Sequence, residues 1–319
     1  MTRLVLVTGA TGFVGRAVVK ALAAAGWRVR AAIRESRAID AFPATIERVE
    51  TGDLAAVVDW PRLIDGADAV VHLAGMAHQR AELPEELYHR VNAWQTGELA
   101  RAAAQAGVSR VVFASSVRAQ TGPVATEILT EDCPPVPTDA YGRSKLAAEH
   151  LLVDRLEATT SAWTVLRPVV IYGPGAKANL RALQRLAASP WPLPLGGLGG
   201  HRSLLALDAL VRAVTHGLTS PATARGTFLV ADRTPVTVPD IIAAMRRGLG
   251  SPPGIWPCPQ TPAAMAARLA GKAAVWQRLT SDLIANSDRL AATGWAPTSD
   301  TQAAIEQWIR SEAAASPRV

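Results

Sequence analysis

The sequence predicts an α/β fold, a doubly wound parallel sheet covered by helices on both faces, with a smaller C-terminal lobe. Three observations carry this. Short, wholly apolar runs alternate with helical patterns through the first half of the 319-residue chain. A glycine-rich turn links the first such run to the first helical pattern, at Thr8 to Gly15. After Pro174 the texture changes to glycine- and proline-rich stretches that separate short elements. Continuous apolar strands joined by helices pair in parallel, and their crossovers are right-handed. Ligands then bind at the carboxyl ends of the strands.

The elements follow in order. Residues 4–7 form a fully apolar strand, and 13–25 a helix that stops at Gly26, a C-cap. Residues 29–33 are the second strand, 46–49 a weaker third, and 69–73 a fourth after the turn Asp65-Gly66. Residues 84–106 read as one long helix closed by Gly107. Residues 111–114 form the fifth strand, 140–158 a helix, and 164–166 a sixth strand stopped by Arg167-Pro168. Residues 1–174 are therefore taken as one domain and 175–319 as a smaller lobe, with segments returning to the main sheet. Residues 173–200 and 251–262 are rich in glycine or proline. No internal repeat is present, and the tail from 311 is expected to fray.

Composition narrows the function. Charged residues make up 19% and apolar ones 49%, the balance of a globular chain. The net charge is +6 and the pI near 9.9. No block of like charge or basic stripe accompanies it, so nucleic acid is not the expected partner. Diffuse positive charge suits an anionic cofactor and substrate. Cys133 and Cys258 lie beside prolines without metal spacing, so two inert thiols and no metal are expected. No apolar run is long enough for a signal peptide or a membrane span, which points to the cytoplasm.

Thr8-Gly9-Ala10-Thr11-Gly12-Phe13-Val14-Gly15 sits between a strand and a helix, as a dinucleotide fingerprint requires. Gly9 permits the tight turn, Gly12 lets the backbone approach a pyrophosphate, and Gly15 lets the helix pack on the sheet. Free N–H groups at the helix start favour phosphate, so the fold is of Rossmann type. An acidic ribose ligand is expected at the end of the second strand, but that position is Ile33 and Arg34 follows. Arginine pairs with the 2′-phosphate of NADP(H). A two-residue slip would instead use Glu35 and restore NAD(H). Asp53, followed by Leu54, is either an adenine ligand or a helix N-cap.

Tyr141 and Lys145 stand at i and i+4 on a predicted helix, one turn apart on one face. An ammonium beside a phenol lowers its pKa, which suits proton transfer to a carbonyl oxygen. Ser115 and Ser116 lie just past the fifth strand, where a hydroxyl would hold the same oxygen.

Together these motifs make the chain resemble the extended short-chain dehydrogenases/reductases, the nucleotide-sugar epimerase, dehydratase and reductase group. The resemblance runs through His72-Leu73-Ala74-Gly75, Val91-Asn92, the stretch LRPVVIYGPG at 166–175, Lys177-Ala178-Asn179 and His201-Arg202-Ser203. It implies that Ser116 is the triad hydroxyl and that Asp53 meets adenine. It implies that Ala74 and Gly75 line the cofactor and that Lys145 also binds the nicotinamide ribose. Pro168 and Tyr172 would border nicotinamide and sugar, and Asn179 and Arg202 would bind the nucleotide diphosphate. Homodimers pairing two long helices, here 84–106 and 140–158, are common in the family.

Departures from the family pattern refine this. The Asp-Glu pair of the dehydratases, and the glutamate of related decarboxylases, are replaced by Val117 and Arg118. The usual Tyr-Gly becomes Gln120-Thr121, and Gly75 stands where alanine is commoner. From Lys177 through Asp208 the chain most resembles reductases of UDP-linked 4-keto-6-deoxy-N-acetylhexosamines, which serve surface polysaccharide synthesis. The expected activity is therefore reduction of a nucleotide-sugar 4-ketone with NADP(H) or NAD(H). A UDP-hexose 4-epimerase with retained NAD is the alternative, and a non-catalytic NAD(P)-binding sensor is the reading outside enzymology.

Overall fold

A computed structural model of the protein describes residues 3–34, 42–77, 83–176, 179–271 and 273–315. The first six strands are β1 (Leu4–Thr8), β2 (Arg28–Ile33), β3 (Glu47–Glu50), β4 (Ala69–His72), β5 (Arg110–Ala114) and β6 (Ala162–Pro168). β7 (Val170–Tyr172) and β8 (Leu204–Ala206) form a separate two-stranded parallel sheet. β9 (Gly226–Val230) pairs with β6 and completes a seven-stranded sheet ordered β3-β2-β1-β4-β5-β6-β9. All its pairings are parallel. The strand order turns outward in both directions from β1 and β4, which places a ligand crevice at their carboxyl ends.

β1 is buried along its whole length. Leu4 and Leu6 point into one hydrophobic cluster, Val5 and Val7 into the other, as strand alternation requires. Each fully buried aliphatic side chain stabilises by about 1.5–3 kcal/mol. On the Val5 side lie α1 (Phe13–Ala24) and, from further along the chain, residues 207–219. On the Leu6 side lie α2 (Trp60–Ile64) and the helices between β4 and β6. The predicted long helix at 84–106 is three pieces: α3 (Glu85–Tyr88), a π-helical turn at His89–Trp94, and α4 (Gln95–Gln105). α5 (Ala140–Leu156) packs on α4 and starts at Asp139, whose side chain accepts from Gly142 N at 2.7 Å. β6 runs two residues beyond its predicted end. Proline is tolerated there because Pro168 is the last residue of the strand.

The later helices are α6 (Asn179–Ala187), α7 (Leu207–Thr219), α8 (Val238–Gly248), α9 (Gln260–Leu269), α10 (Ala273–Thr280), α11 (Asp288–Ala291) and α12 (Thr301–Ala315). α7 and β9 belong to the main sheet although they follow residue 174. α8 and α12 pack closely, and a Cβ at Gly248 would stand 2.6 Å from Glu306 O. Residues 121–139 are stitched to the C-terminal part of the chain. Ala125 N and Leu129 N donate to Asp282 O and Ile284 O, each at 2.8 Å. Glu131 accepts from Leu229 N at 2.8 Å. Among the described residues no helix is long and apolar enough to cross a membrane, and no cluster of metal-ligating side chains occurs.

Candidate active site

The glycine loop shapes the first part of the crevice. Gly9 has a φ of +65°, and a Cβ there would meet Ala74 N at 2.8 Å. A Cβ at Gly15 would meet Gly9 O at 2.1 Å, so α1 can start this close to β1 only without a side chain. Gly12 is the N-cap of α1 and offers no side-chain cap, so the first N–H groups of the helix face the crevice unpaired by one. That donor set fits a pyrophosphate. Thr11, Phe13 and Val14 are partly exposed around it. Across the turn, Thr8 Oγ1 accepts from Leu73 N (3.2 Å) and Ala74 N (3.1 Å), which holds the loop after β4 beside the glycines. Gly75 is exposed, and a Cβ there would lie 2.9 Å from Asn92 Oδ1.

Arg34 is exposed immediately after β2, and Ile33 is buried in the core. Glu35 lies outside the described residues. Asp53 is exposed, and its Oδ1 accepts from Ala55 N at 2.9 Å, an Asx turn rather than a helix N-cap. Leu54 is partly buried beside it, and its carbonyl is held by Gln95 Nε2 at 2.8 Å.

The structure brings Ser116, Tyr141 and Lys145 together. Ser116 follows β5, caps the short turn Val117–Ala119, and is hydrogen-bonded to the Tyr141 phenol. Tyr141 packs edge-on against Tyr88, with centroids 6.4 Å apart. Desolvation raises its pKa above the ordinary value, the Ser116 hydrogen bond lowers it, and Asp139 raises it. Lys145 is buried (6% exposed); its Nζ donates to Ala114 O at 2.8 Å and stands 4.6 Å over the Phe113 ring. Burial pushes its pKa down to about 8, opposed by Glu149. The Lys145 ammonium is turned to the Ala114 carbonyl, and the Arg118 guanidinium acts to lower the Tyr141 phenol. Pro168, at the end of β6, is buried on the same edge of the sheet.

Asn92 was named only as part of a motif, yet it organises this site. It occupies the π-helical turn, a feature frequent at functional positions. Its Oδ1 accepts from Met76 N (2.7 Å), and its Nδ2 donates to Met76 O (3.0 Å) and Ser144 Oγ (2.9 Å). The loop after β4 is thereby fixed to α5. Gln120 is no surface contact: it is 1% exposed and bonds Arg167, Thr130 O and Cys133 O.

The expected diphosphate and sugar residues divide. Tyr172 is 2% exposed, its hydroxyl donates to Asp232 at 2.8 Å, and its ring packs near Trp308. The side chain is thus core, not a crevice wall. Burial in turn raises Asp232 to about 6. Asn179 is exposed at the start of α6; Lys177 and Ala178 lie outside the described residues. Arg202 is half-buried and donates to Pro123 O at 2.6 Å and to Arg278 O. Its pKa is lowered by desolvation and by the charges of Arg278 and Arg118, opposed by Asp282. Three guanidinium groups from three elements therefore lie within electrostatic reach of one another, a cluster suited to phosphate oxygens. Arg118 is paired with Asp139 at 2.5 Å. The sequence expectation named Arg202 and not its neighbour Arg278. The available signal was charge asymmetry: between Glu157 and Asp282 the only acids are Asp208, Asp232 and Asp240, against thirteen lysines and arginines.

Comparison with known proteins bears on the family and the fold. A model of the NAD dependent epimerase/dehydratase family matches residues 5–231. The chain is 33% identical over 316 residues to a UDP-glucose 4-epimerase of Vibrio cholerae, covering 96% of this chain and 94% of that protein. It is 35% identical over 311 residues to a 3-diazoavenalumate denitrifying reductase of a Streptomyces species, covering 92% and 96%. Among solved structures, MoeE5 in complex with UDP-glucose and NAD superposes with a TM-score of 0.75 at 24% identity, over 98% of this chain and 99% of that one.

Proposed function

The chain belongs to the NAD dependent epimerase/dehydratase family of extended short-chain dehydrogenases/reductases, and from that premise we propose that it reduces a 4-ketone on a nucleotide-linked hexose. The observation that carries the reading is the Ser116–Tyr141 hydrogen bond beside Lys145, at the strand ends that face the glycine loop. A bound nicotinamide supplies or accepts hydride. The chain's own residues do the rest. Ser116 holds the C4 oxygen, Tyr141 gives it a proton, and Lys145 keeps positive charge behind the pair. Fixing the two reactants against each other supplies much of the rate. Arg202 and Arg278, with Arg118 nearby, hold the diphosphate of a UDP-linked sugar. Val117 and Arg118 leave no carboxylate next to Ser116 to eliminate water, which favours simple redox chemistry over dehydration.

The exposed Arg34 favours NADPH. A 4-epimerase with retained NAD is the second reading, supported by the Vibrio cholerae relative. The two separate in one assay. A reductase oxidises added NADPH or NADH with a UDP-4-keto-6-deoxy-N-acetylhexosamine. An epimerase interconverts UDP-glucose and UDP-galactose without added cofactor. A homodimer through α4 and α5 belongs to the proposal as well. Light scattering should give twice the 33.6 kDa of one chain, and a mass of one chain would remove it.

A further inference from the structure

Beneath the site lies a buried polar network that runs next to Ser116 and one helical turn from Lys145. Ser115, next to Ser116, donates its hydroxyl to Glu149 Oε1. Glu149 stands one turn after Lys145 on α5. Arg167, next to Pro168 on β6, grips the same carboxylate through Nε at 3.0 Å and Nη2 at 2.6 Å. Its Nη1 donates to Gln120 Oε1 at 3.1 Å, and Gln120 Nε2 donates to Cys133 O at 3.0 Å. Glu149 is 4% exposed, Arg167 6% and Gln120 1%. A desolvated ion pair of this kind adds little net stability over apolar residues of equal volume. Its location beside a buried ammonium gives it another use.

We propose that Glu149 is a positioning residue for hydride transfer: held by Arg167 and Ser115 one helical turn from Lys145, its carboxylate is the counter-charge that supports the buried ammonium at the end of β5. The inference rests on the reading of Ser116, Tyr141 and Lys145 as the catalytic set. The charged and titratable groups around Lys145 are few. Its own helix contributes Tyr141 and Glu149, β4 contributes His72, and β6 contributes Arg167 behind Glu149. His72 is neutral, pushed down to about 3 by burial and by Lys145 itself. The remaining neighbours are the Phe113 ring, the Ala114 carbonyl and Asn92 across Gly75. Among the described residues, Glu149 is the anion that opposes the desolvation of this ammonium. Without it, burial would push Lys145 lower still.

The test reads Lys145 directly. Competitive acetylation with acetic anhydride, followed by peptide mass spectrometry over pH 6–11, gives its titration midpoint, with exposed Lys20 as internal reference. Glu149→Gln alone strands the Arg167 charge and endangers folding, so the main variant is Glu149→Met with Arg167→Met. Both charges leave together, and thermal unfolding should stay near the wild-type midpoint. The Lys145 midpoint should fall by about one pH unit, with the alkaline limb of kcat moving down alongside it. Glu149→Asp, which keeps the charge, should hold the Lys145 midpoint near wild type. A wild-type Lys145 midpoint in the folded double variant overturns the proposal. So does a midpoint in Glu149→Asp that falls as far as in the double variant. Since labelling needs no turnover, a shifted midpoint in a protein inert towards every nucleotide sugar would refute the catalytic reading and leave the electrostatic one standing.

Discussion

At the scale of single residues, the proposed chemistry turns on Tyr141, and its neighbours set the terms. Desolvation holds the phenol protonated, so it is poised to give a proton to a developing alkoxide. Tyr141→Phe should lower kcat by roughly 10²–10⁴-fold and leave the dissociation constant of NAD or NADPH unchanged in a fluorescence titration. Unaltered kcat would remove Tyr141 from the mechanism. His72 makes a second, independent prediction. It is wholly buried between Thr8 (2.7 Å) and Thr96 (3.0 Å), stacked on Phe113, with its pKa held near 3. A histidine with a depressed folded pKa favours the folded state only while neutral. Unfolded chains take up the proton as pH falls through about 6.5, so stability drops from there toward pH 3. By pH 5 the loss is about 2 kcal/mol. Urea unfolding at pH 7 and pH 5 should show it, and His72→Gln should flatten that dependence. An equal acid loss in the variant would place the cause elsewhere.

At the scale of elements, the motifs with a fixed local geometry were legible. The strand, glycine turn and helix at 4–24 follow from apolar runs and from glycines that close backbone approaches demand. The i, i+4 spacing on α5 placed Tyr141 and Lys145 together because helix geometry fixes it. What that spacing could not give was the direction of the ammonium, which is decided by the Ala114 carbonyl on another strand. The π-helical turn at His89–Trp94 was equally hidden. Its sequence is an ordinary helical one, and the turn goes with the three hydrogen bonds Asn92 makes to Met76 and Ser144, residues 16 and 52 positions away. Tyr172 was misjudged as a crevice residue because its carboxylate partner, Asp232, is 60 positions along the chain.

At the scale of the whole molecule, the site is assembled from parts far apart in sequence. The glycine loop comes from the first third of the chain, the proposed catalytic set from the middle third, and the arginine cluster from the middle and last thirds, with residues 121–139 bonded to the C-terminal part. Long-range assembly is why Arg278 escaped notice: on its own it is one exposed arginine on α10. Its role is now open to test. Arg278→Ala should raise KM for a UDP-linked substrate ten- to a hundredfold, the worth of one or two charge-assisted hydrogen bonds, about 1.5–3 kcal/mol. The dissociation constant of the coenzyme should not move. The central claim is tested most directly by absorbance at 340 nm, with NADPH or NADH and a UDP-4-keto-6-deoxy-N-acetylhexosamine generated in place. Stoichiometric oxidation of the coenzyme, faster with NADPH and lost in Tyr141→Phe, is the expected result. A flat trace, joined by no interconversion of UDP-glucose and UDP-galactose, would contradict hydride chemistry at this site.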